Sequence, residues 1–156
     1  MKTGWTAILL ALLALPAMAQ TQSPNLFVAA RTNDLNSARA LIANKADINQ
    51  QDDKGYTPLI LATYNRSYDV AQFLLEHGAA TEKKDSSGRT ALMGASFKGD
   101  ERDVTLLLQH GADKNAKDSK GLTSMMYAVM FGRVSVVKLL RANQTDKPAA
   151  VSASTN

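Results

Sequence analysis

Hydrophobic and polar positions along this chain repeat at two distances. Within short stretches, apolar side chains fall three apart, as in Leu59 and Ala62 or Leu92 and Ala95, the spacing that lines one face of a helix. Over a longer distance the pattern returns every 33 residues, with Leu59, Leu92 and Met125 in register, then Ala62, Ala95 and Ala128, then Leu74, Leu107 and Leu140. Polar positions keep the same beat through Asp52, Asp85 and Asp118, through Gly55, Gly88 and Gly121, and through Thr57, Thr90 and Thr123. A weaker copy lies one period earlier, in Leu26, Ala29, Leu41, Ile42 and Ala46. Repetition at this length predicts stacked units, because one short unit cannot bury its own apolar stripe.

Each period has its own local physics. DDKGYTP, DSSGRTA and DSKGLTS place Asp and Gly in a tight turn, since Asp bonds its own backbone and Gly accepts positive φ. Thr then caps a short helix, with Pro58 in the first turn where proline is favoured. After a break at Asn65-Arg66, Lys98-Gly99 or Phe131-Gly132, a second helix carries pairs such as Leu74-Leu75 and Leu107-Leu108 and stops at Gly78 or Gly111. The prediction is an all-α repeat solenoid of four units, residues 25–52, 53–85, 86–118 and 119–143.

These residues resemble the ankyrin repeat family. Gly55-Tyr-Thr-Pro-Leu-Ile-Leu-Ala62 echoes that family's G-x-T-P-L-H-x-A-A pattern, and Leu107-Leu-Gln-His-Gly-Ala-Asp113 its L-L-x-x-G-A-D pattern. The resemblance covers about residues 25–143. There are departures: Ile60, Met93 and Met126 replace the family's histidine, which implies an apolar contact where the family has a polar link. Asp103 stands where other copies have Val70 and Val136, so Arg102 or solvent is expected to satisfy it unless that helix is rotated. Gln144 replaces the last unit's terminal glycine.

Composition narrows the setting. The first nineteen residues carry one charge at Lys2, an apolar run from Ala7 to Leu15 and then Pro16-Ala-Met-Ala19, which reads as a signal peptide cut between Ala19 and Gln20. The run is far shorter than the roughly 20 residues of a membrane span, so no stable insertion is expected after cleavage. Residues 20–24 form a short linker and 144–156 a small, polar, flexible tail. Export permits disulfides, yet the chain has no cysteine, so stability must come from packing. The net charge of +4 falls to +3 without Lys2, and basic residues alternate with Asp85 and Asp118. No phosphate-tracking stripe results, and nucleic acid is not an expected partner.

Catalytic motifs are missing: no Cys nucleophile, no H-E-x-x-H, no phosphate loop. Gly94-Ala-Ser96 begins like a nucleophile elbow but lacks the closing glycine. His77 and His110, one period apart, could be a shared metal pair but read more simply as residues near helix C-termini. No enzyme, metal or cofactor is therefore expected; a metal-dependent hydrolase on this frame is the rival, and a self-associating structural protein another.

The ankyrin resemblance implies protein binding along the hairpin tips and concave face. By position that gives Arg31, Lys54, Tyr56, Tyr64, Arg89, Phe97, Lys98, Lys120, Leu122, Met130 and Phe131, a set rich in the rings and guanidinium groups that favour interfaces. Tyr64, Phe97 and Phe131 form an aromatic series, Phe131 standing one position beyond strict register. The expected partner is a periplasmic or exported protein that this chain protects or inhibits; exported single-domain relatives suggest a catalase or a secreted toxin. In the run TSMMYAVMF, Met125 and Ala128 take core positions, whereas Met130 and Phe131 fall on the groove side. A terminal unit normally turns a polar outer face to water, so the tail, a second copy or the partner is expected to cover these methionines.

Overall fold

The computed structural model describes residues 25–142. The expected signal segment with its cleavage point at Ala19 and Gln20, the linker and the C-terminal tail lie outside the described residues. Eight helices follow in order: α1 Leu26–Thr32, α2 Leu35–Ala43, α3 Pro58–Asn65, α4 Tyr68–Glu76, α5 Ala91–Lys98, α6 Glu101–Gln109, α7 Ser124–Met130 and α8 Val134–Ala142. They form four pairs, and among the described residues there is no strand. The first helices pack in a row, α1 on α3 on α5 on α7, and the second helices make a parallel row behind them.

Most of the helices start on a capping side chain and stop at a left-handed turn residue. The Thr57 hydroxyl accepts from the Ile60 N–H at 3.1 Å and that of Thr123 from the Met126 N–H at 3.4 Å, closing an otherwise open first turn. Thr90 has the same extended backbone but makes no side-chain cap bond. The first helix of every pair ends on a left-handed residue, in turn Asn33, Arg66, Gly99 and Gly132, so the chain reverses within one residue. Gly78 and Gly111, at φ 85 and 81, do the same after α4 and α6.

The core runs through the units as one strip. Leu59, Leu92, Leu74, Leu107, Leu140 and Met93 are among its largest fully buried side chains, each contributing roughly 1.5–3 kcal/mol. Of the three residues standing where the resembled pattern has histidine, Ile60 and Met93 are buried, as an apolar replacement requires, but Met126 is exposed and the apolar contact expected there is not made among the described residues.

Backbone hydrogen bonds join one turn to the next: the Ser86 N–H donates to the Lys54 carbonyl at 2.9 Å and the Ser119 N–H to the Ser87 carbonyl at 3.0 Å. Glycine is required here for space as well as for φ. A Cβ on Gly88 would stand 2.7 Å from the Ser119 nitrogen and one on Gly55 2.9 Å from the Ser86 nitrogen, whereas Gly121, with no further unit among the described residues, would meet nothing within 4 Å.

Asp103 departs from expectation. Neither Arg102 nor solvent reaches its carboxylate: the side chain is fully buried in the first turn of α6 and neither oxygen has a hydrogen-bond partner. Arg102 lies instead over the Tyr68 ring at 3.8 Å, and Arg66 pairs with Asp100 at 3.6 Å. Burial, then the Asp100 charge, push the Asp103 pKa up to about 7, against the weaker pull of Arg102 and Arg66.

Candidate functional site

The turns build one wall of a cleft. In each, one Asp oxygen accepts two backbone N–H groups: Asp52 from Lys54 and Tyr56, Asp85 from Ser87 and Arg89, Asp118 from Lys120 and Leu122, all between 2.8 and 2.9 Å. The second oxygen is thereby aimed at a side chain. Asp52 faces Arg31 at 3.7 Å, Asp85 takes a two-pronged contact from Arg89 at 2.8 Å, and Asp118 accepts from the Tyr127 hydroxyl at 2.8 Å. Arg89 also donates to the Tyr56 hydroxyl at 3.3 Å, linking neighbouring units.

These bonds fix the charge states. The Asp85 contact raises the already high pKa of Arg89 further. Burial pushes Asp118 up, but the Leu122 N–H, the Tyr127 hydroxyl and the Lys120 N–H outweigh it and hold the carboxyl below its usual range. Burial and the bond to Asp118 push Tyr127 up to about 12, so its hydroxyl keeps its proton.

Aromatic rings form the opposite wall. Tyr64 and Phe97 lie nearly parallel with centroids 6.1 Å apart, and Phe131 meets Phe97 edge-on at 4.5 Å. The Lys98 ammonium sits 4.0 Å from the Tyr64 ring centre, a cation–π contact that ties its flexible stem to the wall. Between the walls is a cleft of about 500 Å³ with Ile60, Leu61, Met93 and Gly94 among its lining. Gly94 lies within α5, and a Cβ there would meet nothing within 4 Å, so its missing side chain is what leaves that part of the floor open.

Six of the eleven expected contact residues line this cleft: Arg31, Tyr56, Tyr64, Arg89, Phe97 and Phe131. Lys98 joins them through Tyr64, while Lys54, Lys120, Leu122 and Met130 lie outside the lining. Tyr127, Asp85, Met93 and Gly94 line the cleft without having been expected there. Tyr127 escapes the repeat comparison because its counterparts are Leu61 and Gly94; a lone tyrosine nine residues after a turn Asp was the available signal. The histidines stay outside the cleft: the His77 ring is 2.8 Å from the Phe73 carbonyl through Nδ1, and among the described residues no three metal-binding side chains gather. No described helix is long and apolar enough to cross a membrane.

The helix pairs, the turn geometry and the cleft between turns and first helices define a helical repeat protein with a concave face. The chain belongs to the ankyrin repeat family: the family model for ankyrin repeats, spanning three copies, matches residues 26–118. Ankyrin repeats are generally protein–protein interaction modules and typically non-enzymatic. The α7–α8 pair continues the same architecture past the matched region. No curated protein matches the chain at a significant level.

Proposed function

We propose that this chain is a non-catalytic binding module that holds one partner protein in the cleft between its turn wall and its aromatic wall. The observation that carries this reading is the cleft itself: residues of all four stacked units keep one face open to about 500 Å³ and line it with rings and a hydrogen-bonded rail. That volume lies within the roughly 300–1,000 Å³ of ligand clefts and has room for a large apolar side chain from a partner. Both walls are held by contacts between units, so little freedom is lost when a partner docks. The N-terminal segment supports a periplasmic location and hence an exported partner, which the chain would protect or inhibit.

Gly94→Leu tests the reading with little risk to the fold. Leucine fills open space and is the better helix former, so stability should hold or rise by up to about 1 kcal/mol. Affinity capture from periplasmic extract, quantified by mass spectrometry, should recover a protein with the unmodified chain and lose it with Gly94→Leu and with Phe97→Asp/Phe131→Asp. Equal recovery by all three baits would show that the cleft is not the binding surface.

A further inference from the structure

The described helices end on a face that the two preceding units bury. Met126 in α7 stands where α3 and α5 have Ile60 and Met93; those are 6% and 1% exposed, Met126 46%. Val129 stands where they have Thr63 and Ser96, both at 0%, and is itself 58% exposed. In the inner units the helix that follows, α5 on α3 and α7 on α5, packs on this side. After α7 no described helix does so.

Composition shifts in the direction opposite to what an end exposed to water requires. Thr63 and Ser96 give way to Val129, and Tyr68 and Glu101 to the exposed Val134. Terminal units of such stacks ordinarily become more polar on the outer side. Charge changes as well: the earlier units mix acids and bases, but residues 119–142 contain Lys120, Arg133, Lys138 and Arg141 and not one Asp or Glu. Arg133 is turned to the Phe97 carbonyl at 2.9 Å and Lys120 lies by Asp118, which leaves the exposed Lys138 and Arg141 on α8 as the cations of this end.

We propose that the open end of the stack, the outer side of α7 and α8, docks a helical protein whose matching surface is apolar and rimmed with carboxylates, seated as a fifth helix pair would be. The register sets the shape: Met126 and Val129 occupy positions that in the inner units receive a helix pair, and a helical surface fits there better than a flat one. The cations set the rim. Two copies of this chain meeting end to end would place Lys138 and Arg141 against their own counterparts, which opposes a dimer through this face. The surface is separate from the cleft and does not depend on it.

A photo-crosslinking residue placed at position 129 of the full chain, expressed in its own cells with position 76 as an exposed control, tests the idea. The adduct is identified, and its protein purified and bound to the full chain by calorimetry. The expected result is one helical, acidic protein, captured equally well by the Gly94→Leu variant. Its Kd should weaken at least about tenfold with Val129→Glu and with Lys138→Glu/Arg141→Glu, and only the second loss should be recovered by lysines on the partner's acidic rim. Circular dichroism melts confirm that each variant folds. The proposal is overturned by an adduct of the chain with itself, by binding to phosphatidylglycerol vesicles with no protein adduct, by labelling no stronger than at position 76, or by a Kd unmoved by Val129→Glu.

Discussion

Asp103 carries a cost that its neighbours do not offset. Its carboxyl binds a proton more tightly in the folded chain, with a pKa of about 7 against an ordinary 3.8, than in the unfolded one. Between those values the folded state holds the extra proton, so the contribution of Asp103 to stability is most favourable below about pH 3.8, falls as pH rises towards 7, and levels off above. Asp103→Val restores the residue type found at positions 70 and 136. It should raise stability by about 2–4 kcal/mol near pH 8, clearly less near pH 5, in urea denaturation at the two pH values. Asp103→Asn should flatten the pH slope without the full gain, because an amide buried there also lacks partners. A slope unchanged by either variant would place the titration on another group.

Spacing between turns, more than the turns themselves, decides what each glycine is worth. Gly88 and Gly121 have nearly the same φ, 77 and 78, so alanine strains both by roughly 1 kcal/mol. Only at Gly88 does the new methyl also meet the backbone of the following turn. Gly88→Ala should therefore lower the urea midpoint distinctly more than Gly121→Ala, and equal losses would mean that the turns do not stack this closely. The 33-residue period located both turns, all four pairs and most core positions, because each of those features recurs; Met125, expected in the core beside Ala128, is only half-buried, as are Leu41 and Ile42 of the weaker first copy. What recurs in sequence does not always recur in bonding: Thr90 has the place of a cap without its hydrogen bond, and Tyr127 builds the cleft from a position where its counterparts are Leu61 and Gly94. Long-range partners of that kind, such as the Asp118 carboxylate and the Tyr127 hydroxyl, depend on where the turn aims its second oxygen, which no periodicity records.

Units that touch only their neighbours make the molecule as strong as its ends. Leu59 to Ala62 and Val70 to Leu75 are buried or nearly so in α3 and α4 apart from Gln72, while α7 and α8 bury chiefly Ser124, Ala128, Val136 and Leu140. Native-state hydrogen exchange should find the α8 amides opening well before those of α4. Protection spread evenly from α4 to α8 would argue against end-first opening. Occupancy of the open end should slow α8 exchange selectively.

The contact among Asp85, Arg89 and Tyr56 has a kinetic consequence. Arg89 spends its charge on a carboxylate that is itself buried, so it is not available as a hook for an incoming anion, and drawing it away would leave Asp85 without its counter-charge. With Arg89 paired to Asp85 and Arg31 facing Asp52, little long-range steering comes from the turn wall. Association through the cleft should therefore proceed at the unsteered rate, about 10⁵–10⁶ M⁻¹ s⁻¹, with partner choice expressed in how long a complex lasts rather than in how quickly it forms.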